Sequence, residues 1–136
     1  MHQQTSFSNT DFEILLPIKD QVAILDLGGT QITDAIFEKL AMLPHLTILK
    51  LDNTDISGKN IELLSGQDHL KSINLTSTDF EKIHLQKLSG FKKLKKVYIY
   101  KTNLGSDGPK TLNNGQITIN YGDYDLPKIA SDSIIY

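Results

Sequence analysis

The chain repeats itself every 24 residues, and that period restricts the folds open to it more than any other feature of its sequence. An offset of 24 superposes Val22, Leu46, Leu70 and Leu94, then Leu25, Leu49, Ile73 and Val97, then Leu27, Leu51, Leu75 and Ile99. Every one of these positions is aliphatic. Three residues beyond the last set stand Thr30, Thr54, Thr78 and Thr102, and two residues later Ile32, Ile56, Phe80 and Leu104. Such registered copies do not arise from composition alone. Self-similarity at this period means one short structural unit stacked on copies of itself, because a single unit cannot bury its own apolar face.

The pattern L-x-x-L-x-L-x-x-T-x-[ILF] assigns each position a task. In Leu25-Asp26-Leu27 and its copies, side chains alternate between faces, so the aliphatic pair points inward and the middle residue outward. One strand per unit then stacks in parallel, and a parallel sheet requires a cover. The cover is expected from residues 34–43, 59–64 and 80–88. There Phe37, Ile61 and Leu85 align, as do Leu40, Leu64 and Leu88, a three-residue spacing that predicts one helix face. Thr33, Ser57 and Asp79 are the expected N-caps, and Pro44, Gly66 and Gly90 the stops. The spacing is that of a leucine-rich repeat. The expected fold is α/β: a solenoid of about five coils, with a short parallel sheet on the concave face and helices on the convex face. The threonine column is expected to hydrogen-bond from coil to coil, a structural role and not a ligand-binding row.

The ends must differ from the middle, since an open coil exposes core. A single domain over 1–136 is expected, with an N-terminal capping helix at 9–20, repeats at 22–104, and a terminal strand with a C-terminal cap or tail at 105–136. Phe12 and Leu16 fall in register with Ile36 and Leu40. Ser106 to Leu112 reads as a shortened return, and Asn114-Gly115 as the turn into a fifth strand at Ile117-Thr118-Ile119. The stretch from Tyr121 to Tyr136 either runs extended across the open end or is flexible.

Composition narrows function by exclusion. A net charge of −2 and a pI near 6.0 create no global field toward nucleic acid or anionic membrane. Without cysteine there are no disulfides, thiolate metal ligands or thiol nucleophile, and the redox compartment is left open. Met1 to Ser6 has neither a charged nor an apolar signal region, and no apolar run approaches the ~20 residues that span a bilayer. No export signal and no membrane insertion are expected of this chain.

The run Leu25-Asp26-Leu27-Gly28-Gly29-Thr30-Gln31-Ile32-Thr33-Asp34 and the segment from Leu94 to Thr102 resemble the leucine-rich repeats of bacterial envelope proteins. In those proteins similar repeats follow a membrane segment and a c-type cytochrome module. The resemblance covers about residues 12 to 104, and Leu126 to Ser133 is similar too. It departs in that the chain has no C-x-x-C-H haem motif. Haem therefore does not carry over. The resemblance implies a periplasmic or cell-envelope appendage.

The outward strand positions form columns: Ile24, Ile48, Ser72 and Lys96; Asp26, Lys50, Asn74 and Tyr98; Gly28, Asp52, Thr76 and Tyr100. Small and acidic groups fill the first coils, whereas Lys96, Tyr98, Tyr100 and Lys101 gather at the last. Tyrosine suits interfaces because it buries apolar area and keeps a polar tip. The expected partner-binding residues are Lys50, Asp52, Asn74, Thr76, Lys96, Tyr98, Tyr100 and Lys101. The competing reading packs Tyr98 and Tyr100 under the C-terminal tail as an edge cover. Lys82, Lys87, Lys92, Lys93, Lys95, Lys96 and Lys101 occur with no acidic residue between Lys82 and Lys101. Because the chain has no arginine, the residue suited to bidentate phosphate contact, an acidic protein surface is expected and nucleic acid is not.

His45 and His69 share one repeat position and are expected about 5 Å apart by strand spacing. Lys93 holds that position in the next coil, so the three or four ligands of a metal site are not reached and both histidines read as turn residues. His84 stands alone on a return. Gly28-Gly29 lacks the spacing of a dinucleotide loop. With no paired carboxylates in a cleft and no nucleophile beside a base, neither an enzyme nor a cofactor is expected. The leading function is a monomeric protein-interaction module that uses the concave sheet. The alternatives are a structural spacer or cap of a larger envelope protein linked to a cytochrome, and a glycan binder using Asp52, Asn74, Tyr98 and Tyr100.

Overall fold

The computed structural model of the chain describes residues 8–102 and 108–122. Its framework is a mixed α/β arrangement: one open six-stranded sheet, mostly parallel, with few helices. The strands are β1 (Ile24–Asp26), β2 (Ile48–Lys50), β3 (Ser72–Asn74), β4 (Lys96–Tyr98), β5 (Thr111–Leu112) and β6 (Ile117–Asn120), in the order β1-β2-β3-β4-β6-β5. The sequence period becomes hydrogen-bond register. Leu25 lies opposite Leu49, Leu49 opposite Ile73, and Ile73 opposite Val97, all in parallel. Ile119 continues the row beside Val97, and β5 then pairs antiparallel with β6.

The inward rows are the core. Leu49, Ile73 and Val97 are fully buried, as are Leu46, Leu94, Leu51, Leu75 and Ile99. Burying one such side chain is worth about 1.5–3 kcal/mol, so the stacked rows dominate stability. Leu25 is the exception in its row. It is only half-buried, because no strand flanks β1 on its far side among the described residues.

The returns differ from the helices expected. Only Ile36–Leu40 is an α-helix, while Ile61–Leu64 and Lys82–Gly90 are 3₁₀ helices. Apolar spacing explains the split. Ile36, Phe37 and Leu40 supply both three- and four-residue steps, whereas Ile61 with Leu64, and Leu85 with Leu88 and Phe91, repeat at three, the period of a 3₁₀ helix. Nor do Thr33, Ser57 and Asp79 act as caps. The residues preceding the helices are Ala35, Asn60 and Glu81, none with a capping side-chain bond. Asp34 instead ties two repeats together. Its carboxylate accepts hydrogen bonds from the Ser57 and Gly58 amides at 3.0 and 3.1 Å and from the Ser57 hydroxyl at 2.7 Å.

The threonine column also departs from expectation. Each hydroxyl donates to the carbonyl three residues back in its own repeat: Thr30 to Leu27 at 2.6 Å, Thr54 to Leu51 at 2.6 Å, Thr78 to Leu75 at 2.7 Å and Thr102 to Ile99 at 3.0 Å. The short side chain reaches the turn it closes before it reaches the next repeat. At this point of the repeat it is the backbone that bonds one strand to the next. Leu27, Leu51 and Leu75 each donate an amide to the strand that follows, at 2.6–2.8 Å.

Each end is closed differently. The first described segment is a 3₁₀ helix, Asn9–Gln21, whose backbone leaves helical angles at Ile18 directly after Pro17. There the Asp11 carboxylate accepts the Ser8 amide at 2.9 Å, and Phe12 is buried against the core as its register predicts. At the other end the expected fifth strand is present as β6. The expected shortened return contributes a sixth strand, β5, through a turn in which Asn113, Asn114 and Gly115 all have positive φ. The tail expected from Tyr121 to Tyr136 lies outside the described residues beyond Gly122.

Candidate partner-binding face

Alternation along three-residue strands sends Ile24, Asp26, Ile48, Lys50, Ser72, Asn74, Lys96 and Tyr98 to the face opposite the core. Register then aligns them. Ile48, Ser72, Lys96 and Thr118 form one row, and Lys50, Asn74, Tyr98 and Asn120 the next. Of the expected partner-binding residues, Lys50, Asn74, Lys96 and Tyr98 are therefore neighbours on successive strands.

The remaining four, Asp52, Thr76, Tyr100 and Lys101, lie past the strand ends, in turns and not on the strands as expected. The ladder nevertheless runs on through those turns. Gly29, Asn53 and Ser77 donate their amides to the carbonyls of Asp52, Thr76 and Tyr100 at 2.8–2.9 Å. Each turn passes through a left-handed residue: Gly29, Asn53, Ser77 and Lys101, with φ of 74°, 59°, 59° and 58°. This column shares the 24-residue period, yet no residue type marks it, so sequence reasoning missed it. It aims Asp52, Thr76 and Tyr100 along the same edge of the sheet.

Side-chain chemistry divides the face. The Asn74 side-chain oxygen Oδ1 accepts the Thr76 amide at 3.0 Å, and the Asp26 and Asn120 side chains accept the Gly28 and Gly122 amides in the same way, each at 2.9 Å. These groups close turns. Asn74 thereby has less capacity left for a ligand than its sequence position implies. The Asp52 carboxylate is half-buried over Gly28, where a Cβ would come within 2.8 Å of its oxygen, so a larger residue there would push the carboxylate aside. Burial raises the Asp52 pKa. Its own backbone hydrogen bond opposes that rise, the Asp26 charge adds to it, and the Lys50 charge offsets part of it.

The opposite end is aromatic and cationic. Tyr98 is half-buried and Tyr100 is 45% exposed. The Lys101 ammonium stands 5.5 Å above the Tyr100 ring, a cation–π distance. Lys96 is exposed on the same strand as Tyr98, Lys71 and Lys95 are exposed where their strands begin, and none of the three forms an ion pair among the described residues. Tyr100 also meets Gly122, where a Cβ would collide with its ring. The other cluster lysines are on the returns. Lys87 pairs with Glu62 at 3.2 Å and Lys92 approaches Asp68 at 3.8 Å. The acid-free run is therefore partly neutralised by the preceding repeat.

The histidine rings of His45 and His69 are 5.2 Å apart, as the shared repeat position predicts. His84 is not alone. It is buried, its Nε2 lies 3.4 Å from the Glu81 carboxylate, and its ring packs edge-on against Phe80. Depressions of about 250 and 340 Å³ lie on the returns, one beside Phe12 and Met42 and the other beside Pro44 and Gln67, away from the outward sheet face. No helix among the described residues is long and apolar enough to cross a membrane. The chain matches no protein-family model and no curated protein.

Proposed function

We propose that this chain is a leucine-rich-repeat solenoid acting as a protein-interaction module without catalytic activity, and that its concave sheet receives an acidic partner surface at the Tyr98 and Tyr100 end. One observation carries the reading. Lys96 and Tyr98 on the outward face of the last parallel repeat strand, and Tyr100 and Lys101 in the turn that follows it, bring two tyrosines and two lysines together, and among the described residues neither lysine is paired to a carboxylate. An aromatic anchor beside unneutralised cations matches the composition of interface hot spots and favours encounter with an acidic partner. Lys50, Asp52, Asn74 and Thr76 extend the surface toward the first repeats.

A second reading has a specific observation behind it. The contact of Tyr100 with Gly122 supports a capping role for that tyrosine, as a structural spacer in a larger envelope protein would need. One experiment separates the two. Replacing Tyr98 and Tyr100 together by alanine should weaken capture of a partner from envelope extracts by about 2 kcal/mol or more, and thermal stability should barely move. A far lower melting temperature with unchanged binding per folded molecule favours the cap instead.

A further inference from the structure

We propose that His45 and His69 form a two-point chelate for a divalent transition metal, with copper(II) preferred. The inference is independent of the partner-binding face. The two residues stand three positions before the paired residues Ile48 and Ser72, and Lys71 and Ser72 both donate amides to the Thr47 carbonyl, at 2.8 and 3.3 Å. The backbones that carry the rings are thus locked at strand spacing by the sheet.

The rings have centroids 5.2 Å apart and planes inclined at 60°. Two neighbouring positions of the tetragonal geometry that copper(II) prefers, with the metal about 2.0 Å from one nitrogen of each ring, put the centroids roughly 4.6–5 Å apart, so the separation of the pair is close to what a shared ion needs once the rings turn their nitrogens toward it. Both side chains are exposed, and neither ring is engaged in a hydrogen bond among the described residues. Their nitrogens are free to ligate and their χ angles free to converge. His84 shows the contrast, being buried with Nε2 against Glu81.

Among the described residues no group of three or more histidine, aspartate or glutamate side chains is placed to hold a metal, so the remaining coordination positions belong to water. Two imidazoles and water describe an open, exchangeable site, not a structural one. For such nitrogen ligands the order of divalent affinities peaks at copper. Lys93 ends the histidine column, which limits the site to one ion.

The test uses full-length, tag-free protein titrated with copper(II) chloride in a non-coordinating buffer, followed by calorimetry and electron paramagnetic resonance. The expected result is one copper per chain, a nitrogen splitting from two equivalent imidazoles, and a rise in melting temperature because the ion binds the folded pair preferentially. His45→Ala and His69→Ala should each weaken binding at least tenfold, whereas His84→Ala leaves it unchanged. Binding that persists in both variants, or that is lost in His2→Ala and so belongs to the N-terminus, overturns the chelate, as does an absence of binding.

Discussion

The two ends of the sheet solve the same problem in different ways. At the C-terminal end the chain reverses direction. β6 lies between β4 and the antiparallel β5, Leu112, Ile117, Ile119 and Tyr121 are buried, and the Gln116 amide donates to the carbonyls of Phe91, Lys92 and Leu94 at 3.0–3.3 Å. The Tyr121 hydroxyl adds a 2.7 Å bond to the Pro109 carbonyl. At the N-terminal end a short helix does the sealing, with Phe12 buried and Leu15 and Leu16 half-buried against the core. Phe12 fills the end of the core, while Leu25 stays half-buried and Ile24 is 63% exposed. One end satisfies backbone and side chains together; the other covers apolar volume and leaves a strand edge bare. A parallel sheet cannot end in a tight hairpin on its entry side without an extra strand before it, and among the described residues none is present.

The contrast is broken most forcefully by placing a charge in the same inward row at three points. Leu49→Asp in the middle and Ile119→Asp at the sealed end should each cost upward of about 4 kcal/mol, because an unpaired carboxylate is buried. Either should abolish the cooperative thermal transition. Leu25→Asp at the open end should cost about 2 kcal/mol or less and still melt cooperatively. Equal losses at all three positions would remove the distinction between the ends, and an unchanged Leu49→Asp would refute the register itself.

The plugs themselves come next. Phe12→Ala should cost about 3–5 kcal/mol as a cavity, and Gln116→Ala about 1–3 kcal/mol as orphaned carbonyls. Denaturant midpoints of the two variants measure this difference. A larger loss at Gln116 would mean that the backbone bonds, and not apolar volume, limit stability at the ends.

The smallest effect is electrostatic and belongs to the open half of the face. Because burial holds the Asp52 pKa above its unfolded value, ionising this group weakens the fold. Asp52→Asn should therefore raise the melting temperature slightly at neutral pH. The gain should fade as pH falls through the raised pKa into the ordinary carboxylate range, where Asp52 is neutral in both folded and unfolded chains. A gain that grew with acid would contradict the cause assigned.

Most of the sheet was legible in the sequence because its information lies in side-chain type at fixed spacing. Leu25, Leu49, Ile73 and Val97 predict each other's register directly, and so do His45 and His69. The returns were less legible. A three-residue apolar step suits both helix types, and Ile61 with Leu64 gives no further residue to choose between them. The left-handed turn column was hidden because Asn53, Ser77 and Lys101 share only a backbone conformation. Asp34 was read within a helical return, while its partners, Ser57 and Gly58, lie one repeat on, a contact that periodicity at a single position does not reveal. For the candidate face the outward rows were predictable by alternation. That Asn74 and Asp26 spend an oxygen on closing turns was not, since the bond runs to a backbone amide.

Native-state hydrogen exchange tests the difference between the ends most directly. The bonds from the Ile48 amide to the Ala23 carbonyl and from the Leu27 amide to the Lys50 carbonyl turn the odd-numbered residues of β1 toward β2, so the Ile24 and Asp26 amides face away from the sheet. Those two amides should exchange fast, although Leu27 beside them is protected. At the other end the Thr118 and Ile119 amides, bonded to the Lys95 and Lys110 carbonyls, should exchange as slowly as Leu51 and Leu75 in the middle. Slow exchange at Ile24 and Asp26 would mean that β1 is covered as fully as β6, and the account of one sealed end and one bare edge would be wrong.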